Sequence, residues 1–292
     1  MVRLHVKKGD ESQFLYDTTV KIPTDSLLTE LLEIYNGRLK IERICCEMEE
    51  LSKHGPFFPP DMLGLTEEQI EELKLVDEYE SICVPSGGNR TGLNKDPVGR
   101  RTGRQPQENM SSILGRAVEE VRVKVSKKLV TSSVPLTREI VHEQLDYLRG
   151  AVMIAYPMKL PPYDPIRMEF EGREELGGTH DSLQVIAREE AEMWFCGKQI
   201  FTGKLLEEFI GKNEKTKVVV KLQKNGSGPP AREPVMSEEE RKLLMMYAYR
   251  KQEEQKKLAE DEDDAHLGSE WADGGQLKRQ FQGLRNIGWK PK

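Results

Sequence analysis

Gly197 and the pair Gly203-Lys204 come nearest to a recognised chemistry, because a glycine-bounded loop ending in lysine can cradle phosphate. Such a loop has the form G-x-x-x-x-G-K-[ST], in which backbone amides wrap the anion and the hydroxyl reaches magnesium. Here the spacing between the glycines is one residue too long, and Leu205 stands in the hydroxyl's place. No G-x-G-x-x-G fingerprint follows a strand, which removes the dinucleotide reading. The five histidines (His5, His54, His142, His180 and His266) stand singly, with no H-E-x-x-H or cysteine pair to gather a tetrahedral metal centre. His180-Asp181, just after Gly177-Gly178, is the closest approach to an acid/base pair; a hydrogen-bonded loop histidine is the stronger reading. The acidic run 260–264 lacks the spacing and the glycine of a calcium loop, so it reads as solvated charge. These patterns point to no catalytic residue, no cofactor and no metal, and the chain reads as a non-enzyme.

Composition narrows the partners. Of 292 residues, 37% are hydrophobic and 32% charged, which predicts a folded body with polar extensions. A net charge of −6 argues against a general nucleic-acid binder, which needs a concentrated basic face. The opening MVRLHVKKGDE has no apolar core of a signal peptide, and no uncharged apolar run approaches the roughly 18 residues of a membrane span. A soluble intracellular protein without a membrane partner is expected. Cys45, Cys46, Cys83 and Cys196 show no C-x-x-C spacing, so free thiols in a reducing compartment are the default. The N-x-S/T triplets at Asn89, Asn109 and Asn225 are then chance matches.

Residues 1–84 read as an N-terminal hairpin and helices. Val2, Leu4 and Val6 alternate with polar residues before Gly9-Asp10, and Phe14 to Ile22 resumes extended character. Leu27, Leu28, Leu31, Leu32 and Ile34 then recur at helical spacing, a second amphipathic run follows Asn36-Gly37, and a capping-box pattern at Thr66 predicts a helix to about Glu80. The glycine-rich stretch 85–110, with Arg90, Lys95, Arg100, Arg101 and Arg104, reads as a flexible basic linker able to touch an acidic tubulin tail or an RNA backbone. Residues 111–160 form a helical hairpin with apolar stripes from Ile113 to Leu129 and from Ile140 to Met153. Within 161–224, Arg167 to Glu171 suggests a short strand and Ser182 to Glu190 a helix. Residues 225–292 comprise a linker, a charged helix from Ser237 to about Asp263, and a tail dotted with Trp271, Phe281, Ile287 and Trp289.

The stretch WFCGKQIFTGKLLEEFIG resembles the second half of ubiquitin's β-grasp. Phe195 to Ile200 mirrors its strand-turn-strand, and Gly203, Leu206 and Phe209 fall where that fold keeps a glycine, a core leucine and an aromatic. Alternation places Met193 and Phe195 on one face and Trp194 on the other, where ubiquitin relatives present a partner-binding residue. Strand Lys217 to Leu222 would lie centrally. The missing leading half matches the N-terminal strand-strand-helix, so the expectation is an α+β chain with a ubiquitin-like β-grasp at 161–224. Either one split domain spans both ends with amphipathic helices inserted, or two separate units stand side by side. Leu222 runs on into Gln-Lys-Asn, which predicts a module that binds without being conjugated.

From MVRLHVKKGDESQFLYDT through LPPYDPIRMEFEG to GGQLKRQFQGLRNIGWKPK, the full length resembles the kurly family of cilia- and flagella-associated proteins. The resemblance implies a protein of the cytoplasm and the motile cilium, at the axoneme or ciliary base. It implies a part in assembling or placing outer and inner dynein arms, with dynein arm assembly factors and axonemal dynein chains as partners. No family active site carries over. The partner-binding candidates are Trp194, Trp271, Phe281 and Trp289 as apolar anchors, and Arg100, Arg101 and Arg104 as a basic patch. The alternative is a structural axonemal component held to microtubules by that basic segment.

Overall fold

The computed structural model describes residues 1–65, 67–231, 236, 238–260 and 275. The chain divides into two units, Met1–Glu233 and Pro234–Lys292. In the first, strands β1 (Val2–Lys8), β2 (Glu11–Thr18), β3 (Ala191–Phe195), β4 (Lys198–Ile200) and β5 (Lys217–Lys224) form one mixed sheet in the order β2-β1-β5-β3-β4. β1 pairs in parallel with β5, bringing Val6 opposite Val220, while β3 runs antiparallel to β5 with Trp194 opposite Lys221. The two ends of this unit therefore share one sheet.

Period-2 patterning explains how that sheet is covered. Val2, Leu4, Val6, Met193, Val218, Val220 and Leu222 all point to one face and are buried. They join Leu27, Leu31 and Ile34 of helix α1 (Thr24–His54) in a single core. The turn after β4 locks the start of α1, because the Thr24 hydroxyl donates to the Phe201 carbonyl at 2.9 Å and the Leu206 amide to the Ile22 carbonyl at 3.1 Å. The remaining helices are α2 (Glu67–Glu72), α3 (Glu108–Val125), α4 (Arg138–Ala155), α5 (Pro165–Glu171), α6 (His180–Gln184) and α7 (Glu207–Ile210). α3, α4 and α5 pack around α1, and their apolar stripes extend the same core.

Several local expectations change for physical reasons. α1 runs unbroken through Gly37, where a Cβ would lie 2.6 Å from Val141 Cγ1. The glycine admits α4 and does not end the helix. Asn36 beside it exchanges hydrogen bonds with the Ile186 backbone at 2.8 and 3.2 Å. The segment read as a strand at Arg167–Glu171 is helical: Asp164 caps it by accepting the Ile166 amide at 3.0 Å, Pro165 opens it, and Gly172 closes it in a left-handed conformation. The helix predicted up to Glu80 stops at Glu72, and 182–190 resolves into α6 plus a 3-10 turn at Arg188–Glu190.

The largest change concerns the stretch read as a linker, 85–110, of which residues 100–104 are held against the end of α1. The Gly103 amide donates to the His54 carbonyl at 2.8 Å, Thr102 to Pro56 at 3.0 Å, and Phe58 to the Arg100 carbonyl at 2.9 Å. Gly55 makes the contact possible, with φ 75° and ψ −167°, a region almost reserved to glycine. A Cβ there would lie 2.2 Å from the Arg104 carbonyl oxygen.

In the second unit, helix α8 (Glu238–Glu260) accounts for most of the described residues. Leu243, Leu244, Met245, Met246, Tyr247 and Tyr249 along it are exposed.

Candidate interaction surface

Trp194 sits in the middle of β3 on the sheet face turned away from α1, flanked across the ladders by Lys221 on β5 and Gln199 on β4. Its indole is half-buried, and Nε1 donates to a Glu192 carboxylate oxygen at 3.1 Å. Lys221 beneath it is only 6% exposed, with Nζ 2.9 Å from the Ala231 carbonyl and 3.4 Å from Asp10. A buried ammonium must be matched by acceptors of this kind, so the loop up to Ala231 is tied down onto the sheet.

Beside Trp194 the face opens into a groove of about 760 Å³, with Cys196, Ile210, Val219 and Pro230 among its walls. Farther along, the same face turns polar. Arg3 bridges Asp17 through two bonds of 2.8 Å, and His5 meets the Ser12 hydroxyl at 3.0 Å. An aromatic anchor inside an apolar groove, rimmed by satisfied polar pairs, has the make-up of a protein-binding patch.

The three arginines have separate fates. Arg101 is 4% exposed, its guanidinium paired with Glu47, bonded to the Gly55 carbonyl at 2.9 Å and 3.9 Å from Asp164. It also lies over the Phe57 ring, 5.4 Å from the centroid. Asp164 is fully buried; desolvation pushes its carboxyl above the ordinary range, against the pull of Arg101 and of the Ile166 and Phe57 amides. Arg104 pairs with Glu80, and Arg100 alone is exposed. Spacing therefore did not gather these three into one patch. Trp271, Phe281 and Trp289 lie outside the described residues.

The residues closest to known chemistry are occupied structurally. The Gly203 amide donates to the Asp25 carboxylate at 3.0 Å, so the donor a phosphate would need already holds an anion, and the Lys204 ammonium lies 3.5 Å from Glu208. His180 Nε2 lies 3.0 Å from the Gln184 amide nitrogen of its own short helix. Among the described residues, no three His, Cys, Asp or Glu side chains come together as a metal site, and no helix is long and apolar enough to cross a membrane. Reading the sequence missed Lys221, Val219 and Ile210 as neighbours of Trp194. For Lys221 and Val219 the signal was the β3–β5 register, which alternation fixes only to within steps of two residues, and Ile210 comes from α7.

The family model of Cilia- and flagella-associated protein 298 matches residues 191–287, beginning at the first residue of β3. Cilia- and flagella-associated protein 298 of Danio rerio is 59% identical over 292 residues, covering 100% of both chains. The chain belongs to the Cilia- and flagella-associated protein 298 family. The Homo sapiens member is 55% identical with the same full coverage, and that of Drosophila melanogaster 52% identical over 98% of each chain. No solved structure matches. A family named for cilia and flagella gives this chain a cilium-related role, and the name denotes no enzyme class.

Proposed function

We propose that this chain is a non-enzymatic adaptor of motile cilia, acting in the cytoplasm and at the cilium in the assembly or placement of outer and inner dynein arms. The observation that carries it is family membership along the entire chain. Dynein arm assembly factors and axonemal dynein chains are the partners that fit the reading. The sheet serves it as a ubiquitin-like β-grasp split between the two ends of the first unit. Support for that comes from the strand order β2-β1-β5-β3-β4 with parallel central strands and α1 across one face. In this reading Trp194 is the anchor, placed on the face that helix α1 leaves open.

The microtubule alternative rests on the basic segment, and two of the three arginines of its candidate patch, Arg101 and Arg104, are spent internally on Glu47, Asp164 and Glu80. Pull-down of the full chain from ciliated-cell cytosol tests the first reading. Dynein chains or their assembly factors should be retained specifically, and retention of neither contradicts it. Co-pelleting with microtubules that is lost in Arg100→Glu would favour the alternative instead.

A further inference from the structure

A second cleft lies away from the sheet, between the C-terminal turns of α4 and helix α5, with a volume of about 290 Å³. Val152, Tyr156 and Leu160 form its buried floor, and Met153 and Phe170 stand as walls. Apolar surface continues outward from the mouth, where Met153 is 55% exposed and Met158 67%. Methionines at an open apolar site are flexible and polarizable enough to shape themselves to a ligand side chain.

The cleft's lining is net positive. Arg149, Lys159 and Arg167 line the cleft together with a single carboxylate, Glu171, which is already bound by Arg167 at 2.9 Å and by Arg173. Arg149 is fixed by a 3.1 Å bond to the Phe170 carbonyl and stacks over the Phe170 ring, and its exposed ion pair with Asp146, at 3.5 Å, is of the solvent-screened kind that a partner's carboxylate can replace. Lys159 is exposed at the mouth in a left-handed backbone conformation (φ 67°) and makes no salt bridge among the described residues. This positive rim stands on a chain whose net charge is −6, so it is local and not a reflection of overall composition.

We propose that this cleft is a docking site for an acidic protein segment that inserts one bulky apolar side chain between α4 and α5 and sets its carboxylates against Arg149 and Lys159. The volume suits a side chain and is small for a folded partner surface, since pockets that enclose drug-sized ligands begin at roughly 300 Å³. Charge complementarity sets the flanks of the segment, and the apolar floor with the Met153 wall sets its anchor.

A random dodecapeptide phage library panned against the full chain tests this. Enriched peptides should carry Asp or Glu around one Leu, Met, Phe or Trp. As synthetic peptides they should lose about tenfold or more in affinity to Met153→Asp and, separately, to Lys159→Glu, and should weaken as salt rises. Both side chains are exposed, so the variants should melt like the wild type. No enrichment, enriched peptides without carboxylates, or affinities unmoved by the two variants would overturn the proposal.

Discussion

The arginine segment 100–104 and the Trp194 face of the sheet both looked like partner-binding surfaces, and the fold uses them in opposite ways. Arg101 turns inward, where Glu47, Asp164 and the Gly55 carbonyl consume its charge. Trp194 keeps half its indole out of the core, beside a groove of about 760 Å³, although an indole is the residue with more to gain from burial. The lesson is that a run of basic residues says nothing of where its counter-ions are. Acids distant in sequence, here on α1 and before α5, can claim the charge before any partner does.

The sharpest way to break the comparison is Arg101→Ala. It should leave Asp164 buried without its main cation and cost roughly 3–5 kcal/mol of unfolding free energy, measured by urea denaturation. A loss below about 1 kcal/mol would return the segment to the role of a surface patch. Gly55→Ala should follow with at least about 1–3 kcal/mol from the backbone conformation alone, before the clash with Arg104 adds to it. Trp194→Ala should cost only about 1 kcal/mol, because the ring is half exposed in the native state, and its effect should appear in partner capture instead.

The smallest effect belongs to the polar end of the sheet face. The Arg3 guanidinium holds the Asp17 carboxyl below its usual range, so the pair's contribution is complete above the unfolded carboxylate value of about 4 and is lost as pH falls through the lowered native value. The difference in melting temperature between wild type and Arg3→Met should therefore be constant near neutrality and close in acid. A gap that widens in acid would refute the assignment.

Elements built on strict periodicity were legible in the sequence: the β1–β2 hairpin, α3, α4, and the strand-turn-strand from Ala191 to Ile200. The cap of α4 is Thr137, whose side chain accepts the Ile140 amide. What stayed hidden depended on tertiary contact. Gly37 reads as a stop until Val141 is seen against it, and the short α5 is specified by Asp164 and Gly172 at its ends more than by the seven residues between. Residues 85–110 carry almost no apolar signal, and their order comes from backbone hydrogen bonds and ion pairs that no local pattern encodes. Trp194 could be placed on the outer face by alternation, but its groove neighbours required the β5 register.

The division of labour between these regions can be read in one measurement: hydrogen–deuterium exchange of the full chain, alone and in complex with a dynein arm assembly factor retained from ciliated cytosol. Amides of Glu192–Gln199 and Lys217–Lys221 should gain protection in the complex, while those of Asp96–Arg104 stay as they are in the free protein. Protection confined to Asp96–Arg104, with the sheet unchanged, would contradict the account.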